Sequence, residues 1–221
     1  MTEKMDENTL RMLAGQLRQP QGEFGVEVSN EMNKSNFHQN HFTIDALEVS
    51  AGDNILEIGM GNGLFVKDIF AFSDEIHYTG CDFSGKMVEE ASRHNAKLIN
   101  EEKAEFHVAS VFNLPFAEAQ FNKVFAVNCI YFWDDVSLAL SQIWKVLKPG
   151  GRLYISVRPK SLMENFPFVK WGFELYAEPE LVQLLSQNKL EVVSAAELEE
   201  PPVQLQGEDV ILRTLIVCAQ K

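Results

Sequence analysis

From Asn54 onward, short hydrophobic runs typical of buried strands alternate with longer stretches whose apolar residues recur every three or four positions, as in amphipathic helices. The predicted strands are Asn54–Ile58, Ile76–Cys81, Phe106–Ala109, Val124–Asn128 and Leu153–Val157. The predicted helices between them are Leu64–Phe72, Gly85–Glu101 and Val136–Leu147. Strands separated by helix-length crossovers predict an α/β fold, in which a parallel sheet carries helices on both faces.

The pattern changes toward the C-terminus. A helix is predicted over Pro179–Gln187, and two strands follow it, over Leu190–Glu197 and Val210–Ala219. No helix-length segment separates these two strands. We therefore expect them to pair antiparallel at one edge of the sheet.

The first 53 residues do not share this alternation. Helical spacing predicts helices over Asn8–Gln19 and Ser35–Glu48, whereas the stretch Pro20–Gly25 contains helix breakers and predicts a loop. We expect residues 1–53 to form a helical extension or lid on a domain made of residues 54–221, within one globular unit.

The charge balance excludes several classes of partner. The 221 residues include 19 Lys and Arg and 32 Asp and Glu, giving a formal net charge of −13. An acidic chain has no overall field that attracts nucleic acid or an anionic membrane. No apolar run approaches the roughly 18 residues of a membrane span, and the polar start MTEKMDENTL is unlike a signal peptide. We expect a cytoplasmic protein.

The cysteines point to no metal site. Cys81, Cys129 and Cys218 are scattered along the chain and lack the close spacing of metal ligands. Each falls in a strand-like apolar stretch, so we expect buried, reduced thiols and no bound metal.

The segment richest in chemical information is a glycine loop between the first predicted strand and the helix after it. Gly59, Gly61 and Gly63 permit tight turns and a close approach of the backbone to a ligand. The helix that follows presents free N–H groups. Asp82 comes 19 residues after Gly63, at the end of the second predicted strand, where a carboxylate accepts hydrogen bonds from ribose hydroxyls. The pattern therefore predicts a nucleotide-like cofactor.

The spacing of the glycines leaves the cofactor open at this point. In the nicotinamide-binding pattern GxGxxG, Gly59 and Gly61 fit the first two positions, but Leu64 occupies the third. The spacing present is GxGxG, with Glu57 two residues before the first glycine. A nicotinamide-dependent oxidoreductase is an alternative on these residues alone.

Five segments in order resemble the class I S-adenosylmethionine-dependent methyltransferases, in their broad small-molecule branch (methyltransferase type 11-like). They are LEIGMGNG, GCDFS, NLPF, FNKVFAVNCIYFW and LKPGGRLYI, and together they span about Asn54 to Val157. The resemblance implies a Rossmann-like, doubly wound sheet of seven strands, mostly parallel, with an antiparallel last strand. It also implies methyl transfer from S-adenosylmethionine to a small organic acceptor by in-line displacement, leaving S-adenosylhomocysteine. A non-catalytic S-adenosylmethionine-binding regulatory module is an alternative.

The resemblance also implies cofactor-binding roles. Gly59, Gly61 and Gly63 would let the backbone pack on the cofactor, Glu57 would order its methionine amino end, and Asp82 would hold the ribose. Phe83 would flank the adenine, Met87 would line the same pocket, and Asn128 would lie beside the methionine portion. Ser110 and Val111 stand where the family often has an acid that accepts the adenine amino group.

The acceptor site is expected where aromatic residues follow the fourth strand. Tyr131 and Trp133 are candidates there to stack a substrate or hold a cation. In the N-terminal extension, Asn36 and His41 are further candidates; His41 shares a helix face with His38. No residue is identified as a catalytic base, and a homodimer is compatible with the sequence.

A second segment of the chain is a candidate wall of the acceptor site. Arg158–Ala177 follows the fifth strand and is rich in aromatic residues. An insertion that packs on the sheet is the alternative interpretation of this segment.

Overall fold

The computed structural model describes residues 6–205 and 208–221, and it contains a central sheet of seven strands. The strands are β1 (Asn54–Ile58), β2 (His77–Asp82), β3 (Ala104–Val108), β4 (Phe121–Val127), β5 (Leu147–Val157), β6 (Glu191–Glu199) and β9 (Arg213–Gln220). Their order is β3-β2-β1-β4-β5-β9-β6. The first five strands in this order, β3, β2, β1, β4 and β5, are parallel to one another. Strand β9 runs antiparallel to both of its neighbours, β5 and β6. The expected mostly parallel sheet with an antiparallel last strand is confirmed.

A short hairpin and a set of helices complete the described chain. The hairpin is formed by β7 (Val203–Leu205) and β8 (Glu208–Val210). The helices are α1 (Glu7–Arg18), α2 (Gly22–Ser35), α3 (Phe37–Ala46), α4 (Val66–Ile69), α5 (Gly85–His94), α6 (Ala96–Asn100), α7 (Val136–Val146), α8 (Lys160–Met163) and α9 (Glu178–Gln187), with 3-10 turns at Ile130–Phe132 and Pro167–Lys170. Among the helices described, none has the length and apolarity needed to cross a membrane.

Helix α2 is the main element that the hydrophobic pattern missed. The predicted loop over Pro20–Gly25 is wrong, because α2 begins at Gly22. Gly25 is buried inside this helix, and a Cβ there would come within 2.7 Å of the Pro20 backbone carbon. Gly25 therefore allows α2 to pack closely against Pro20, and it does not mark the end of a helix.

Two predicted boundaries fail because polar side chains and glycines have other uses. The single helix predicted over Gly85–Glu101 is broken at Asn95, whose side-chain amide donates to the carbonyls of Gly63 and Ala91. The residues between the helix predicted to end at Leu147 and the strand predicted to begin at Leu153 lie inside β5, where Gly150 takes a positive φ of 77°. The strand that was expected to begin at Leu153 therefore starts at Leu147.

The sheet is buried on both faces. On β1, Ile55 and Leu56 point to opposite sides and are both fully buried. Leu56 belongs to the core cluster that contains residues of α7 and α9, whereas Ile55 packs in a cluster with Ile44 and Leu47 of the N-terminal region. Residues from α3 thus form part of the core on one face of the sheet.

The N-terminal helices also cross the carboxyl edge of the sheet, where the parallel strands end. The Pro20 carbonyl accepts a 2.6 Å hydrogen bond from Ser84 Oγ, just after β2. On α3, the Gln39 amide exchanges two hydrogen bonds with the Asn128 amide, just after β4 (3.0 and 2.8 Å). We call residues 6–46 the N-terminal cover.

A buried ion pair anchors the cover at the end of β5. The Arg158 guanidinium pairs with Glu200 and donates to the Ser35 carbonyl at 2.9 Å, and both charged side chains are nearly inaccessible. Thr214 on β9 also donates to Glu200. Arg158 therefore joins the end of α2 to the last strands of the sheet.

Removal of one partner of this pair should be far more damaging than removal of both. We expect Arg158→Met to lower the free energy of unfolding by about 3–5 kcal/mol, because it leaves the Glu200 charge buried without a partner. The double variant Arg158→Met with Glu200→Met should recover most of this loss. Urea unfolding measures both.

A surface pair provides the control. Arg213 and Glu197 are 2.5 Å apart, but their side chains are 36% and 32% exposed. We expect Arg213→Met to cost at most about 1 kcal/mol. Equal losses in Arg158→Met and Arg213→Met would contradict a special role for the buried pair.

Candidate functional site

The glycine loop follows β1 and turns sharply at each of its three glycines. Gly59, Gly61 and Gly63 have φ angles of 74°, 57° and 64°, which lie in a backbone region that residues other than glycine rarely adopt. A Cβ on Gly59 would lie 2.2 Å from Cys129 Sγ, and one on Gly63 would lie 2.9 Å from the Ala91 Cβ. A Cβ on Gly61 would meet nothing within 4 Å. The outer glycines therefore pack against the protein, and the middle one faces open space.

The Asp82 carboxylate ties the glycine loop to the loop after β2. Its Oδ2 accepts a hydrogen bond from the Gly61 N–H (3.1 Å), and its Oδ1 accepts one from the Ser84 N–H (2.8 Å). Burial raises the pKa of Asp82, although these backbone hydrogen bonds oppose the rise. Each carboxylate oxygen retains capacity to accept a further hydrogen bond.

A second carboxylate lies beneath the loop, near the end of β1. Glu57 is 8% exposed and accepts a 2.5 Å hydrogen bond from the Tyr78 hydroxyl. Burial is the main cause that raises the pKa of Glu57 to about 7; the Tyr78 hydrogen bond opposes this rise and the nearby Asp82 adds to it. Glu57 thus changes its protonation state near neutral pH.

Asn128 forms the centre of a polar network where β4 ends. It has a φ of 55°, a conformation that asparagine tolerates better than most residues. Besides the two bonds that it exchanges with Gln39, its Oδ1 accepts from the Tyr131 hydroxyl at 3.2 Å. Gln39 also donates to Ser156 Oγ on β5 at 3.2 Å. This network fastens α3 to two strand ends beside the glycine loop.

The residues expected around the adenine differ in exposure. Phe83 is 42% exposed, and Ser110 is exposed, with its hydroxyl accepting from the Phe112 N–H at 3.3 Å. Val111 is 8% exposed, and Met87 is completely buried. Phe83 and Ser110 therefore offer surface to a ligand, whereas Met87 packs in the interior at the start of α5.

The two aromatic candidates for the acceptor site are also largely interior. Tyr131 and Trp133 are 3% and 6% exposed and belong to the core cluster. The Tyr131 hydroxyl accepts from the Arg158 backbone N–H at 2.6 Å, and burial raises the pKa of Tyr131. Tyr131 thus contributes to the polar network at Asn128.

His41 and Asn36 lie on other parts of the cover. His41 Nδ1 is 2.8 Å from the Phe37 carbonyl, and its Nε2 is 3.7 Å from Asp68 on α4. Because His41 follows Gln39 by two positions, it points to a different side of α3. Asn36 joins α2 to α3, and its carbonyl accepts hydrogen bonds from Asn40. Both remain predictions as acceptor ligands.

The residue pattern missed Gln39, which the structure brings to the site. Gln39 and Thr43 are fully buried although both are polar, and they lie four positions apart on one face of α3. Two polar residues on the buried face of a helix are the signal that identifies such a contact. On α2, Asn33 also reaches the site, because its Nδ2 donates to Asn62 Oδ1 in the glycine loop at 3.0 Å.

Comparison with known proteins assigns this fold and loop to a family. The family profile described as a methyltransferase domain matches residues 56–155, from β1 to β5. This match and the relatives below support a class I S-adenosylmethionine-dependent methyltransferase. The enzyme interpretation is confirmed, and the nicotinamide-dependent alternative loses its support.

Individual relatives agree with this assignment. An uncharacterized methyltransferase of Bacillus subtilis, YdaC, is 27% identical over 180 residues, covering 81% of this chain and 88% of the relative. The 27-O-demethylrifamycin SV methyltransferase of Amycolatopsis mediterranei is 30% identical over 153 residues, covering 69% of this chain and 53% of the relative. The crystal structure of a SAM-dependent methyltransferase from Aquifex aeolicus shares the fold, with a TM-score of 0.68 and 16% identity over 98% of this chain and 99% of that one.

Alanine substitutions should separate packing glycines from the glycine that faces open space. We expect Gly59→Ala to destabilise the fold by several kcal/mol, because its Cβ meets Cys129 Sγ. Gly61→Ala should cost only the strain of a positive φ, roughly 1–2 kcal/mol. Thermal or urea unfolding measures the difference.

Removal of the clashing sulfur tests the cause. The double variant Gly59→Ala with Cys129→Ala should be more stable than Gly59→Ala alone, because the next nearest atom to the new Cβ is the Cys129 Cβ at 3.4 Å. If the second substitution restores no stability, the predicted clash is wrong.

Glu57 should make the stability of the fold depend on pH. An ordinary glutamate has a pKa of 4.5, and that of Glu57 is about 7 in the folded chain, so folding takes up a proton between these values. The free energy of unfolding should therefore fall as pH rises from about 4.5 to 7. Relative to Glu57→Gln, which carries no titrating carboxylate, wild type should lose about 3 kcal/mol over this range. Parallel pH profiles that show a constant difference would contradict the raised pKa.

Proposed function

We propose that the protein transfers the methyl group of S-adenosylmethionine to a small organic acceptor by in-line displacement. The observation that carries this proposal is the Asp82 carboxylate, which is bonded to the Gly61 N–H beside the open space over that glycine. The similarity to methyltransferases supports S-adenosylmethionine as the methyl donor. The geometry of the site supports Asp82 and the glycine loop as the residues that bind it.

The residues present fit such a donor. The open space at Gly61 is a cradle that a Cβ would partly fill, so the backbone there is free to contact a ligand. Asp82 has oxygens suited to ribose hydroxyls, and Phe83 offers an exposed ring suited to a flat base. Glu57, as a carboxylate, suits the ammonium of the methionine portion. When bound, S-adenosylmethionine supplies a methyl group activated by a positively charged sulfur.

The chain's own contribution is to align the reactants and to exclude water. The glycine loop and Asp82 hold the donor end, and the N-terminal cover lies over the carboxyl edge through its bonds to Ser84 and Asn128. We propose that the cover acts as the lid of the site and that it forms part of the acceptor site. Positioning of this kind supplies much of the barrier reduction in a displacement that needs no covalent intermediate.

The acceptor is proposed to be a small molecule. Support comes from the Amycolatopsis relative, whose name describes methylation of a rifamycin oxygen. The net charge of −13 also disfavours an acceptor on a nucleic acid. A general base is needed only for an acceptor that is protonated at the working pH.

Titration calorimetry with S-adenosylmethionine and S-adenosylhomocysteine tests donor binding. We expect saturable binding of both to wild type and a loss of about 1–3 kcal/mol in Asp82→Asn, since a buried charged acceptor is replaced by a neutral amide. Transfer of a radioactive methyl group to a panel of small hydroxylated acceptors then tests turnover.

The matched control is Asp68→Asn, which removes a half-exposed carboxylate from α4, near the glycine loop. It should bind both ligands as wild type does, and NADH should bind to none of the proteins. Failure of the folded wild type to bind either sulfur ligand would overturn the proposed donor site.

A further inference from the structure

A groove with cationic walls lies between α1 and the 3-10 turn Pro167–Lys170. Its volume is about 470 Å³, and its walls include Arg11 and Arg18 from α1, Lys170 at the end of the turn and Trp171 directly after it. Arg11 and Arg18 are seven positions apart and therefore share one face of the helix. Ala14 and Gly15, which lie between them in the sequence of α1, also line the groove, and their small size leaves room there.

The charge of the groove is opposite to that of the whole protein. Three cationic residues line it, in a chain of net charge −13. Arg18 is held by Asp134 at 2.8 Å. In the part of the chain that the structure describes, neither Arg11 nor Lys170 forms an ion pair. These two charges are therefore available to an external anion.

The groove adjoins the segment where the acceptor is expected. Its wall residue Trp171 is followed closely by Phe173, whose ring centroid is 4.6 Å from that of Phe132 and 5.8 Å from that of Tyr131. The anchor of Arg18, Asp134, comes directly after Trp133. The groove thus joins the N-terminal cover and the Arg158–Ala177 segment to the residues that follow β4.

We propose that this groove binds an oxyanion, a carboxylate or a phosphate, carried by the methyl acceptor. Guanidinium groups bind such oxyanions through paired N–H donors, and the half-buried Trp171 provides apolar surface for the organic part of the molecule. The assignment of this anion to the methyl acceptor rests on the methyl transfer proposed above. The binding of an anion in the groove does not depend on that proposal. The acceptor is accordingly an anionic small molecule.

Calorimetric titrations with benzoate and with phenyl phosphate test the groove, and benzyl alcohol is the neutral probe. We expect both anions to bind wild type more tightly than benzyl alcohol, with affinities that fall as NaCl is raised. Arg11→Gln with Lys170→Gln should weaken anion binding about tenfold. The tighter of the two anions identifies which oxyanion the groove prefers.

The control double variant is Lys97→Gln with Lys145→Gln, which removes two charges from exposed positions elsewhere. It should bind the anions as wild type does. Equal binding of all three probes, or equal anion binding by the two double variants, would overturn the proposal.

Titration of S-adenosylmethionine into the same variants separates this inference from the methyl transfer. Unchanged binding of S-adenosylmethionine together with weakened anion binding supports both. If the anions bind and S-adenosylmethionine does not, the assignment to a methyl acceptor is overturned although the groove is an anion site. If only S-adenosylmethionine binds, the groove proposal fails and the methyltransferase site stands.

Discussion

The hydrogen bond from the Gly61 N–H to the buried Asp82 carboxylate is the constraint on which the proposed site depends. It joins the end of β1 to the end of β2, two neighbouring strands of the parallel sheet. Because parallel strands end at the same edge, the loop and the acid meet without a long connection. The outer glycines are tightly packed against Cys129 and Ala91, so the loop has little freedom except at the position that faces open space.

The N-terminal cover depends on a different kind of interaction. Its contacts with the sheet edge are hydrogen bonds between polar groups, above all the amide pair of Gln39 and Asn128 and the bond from Arg158 to the Ser35 carbonyl. Such bonds are directional, and each contributes a modest net free energy. By contrast, Ile44 of α3 and Leu47, which follows the helix, are apolar and pack on the sheet face. The cover is therefore fixed to the face of the sheet by burial and aligned at its edge by polar contacts.

Most of the sheet and the glycine loop could be predicted from the sequence, because both have local signatures. The strand of β1 and the loop that follows it combine a continuous apolar run with glycines, and β9 shows the apolar pattern of a strand buried on both faces. Helix α2 could not be predicted in this way, because its Gly25 has the same local signal as a loop glycine. The break at Asn95 and the burial of Tyr131 and Trp133 depend on partners distant in sequence.

The amide pair also bears on how quickly ligands are exchanged. Gln39 bonds at once to Asn128 and to Ser156, so α3 leaves the strand ends only when several buried hydrogen bonds break together. Opening of this kind is a cooperative local event with its own equilibrium, which is far less costly than unfolding of the sheet. Where a covering segment must open before product leaves, the opening step sets the ceiling on turnover. For the lid proposed above, the hydrogen bonds of Gln39 to Asn128 and Ser156 would be among those that break in this opening step.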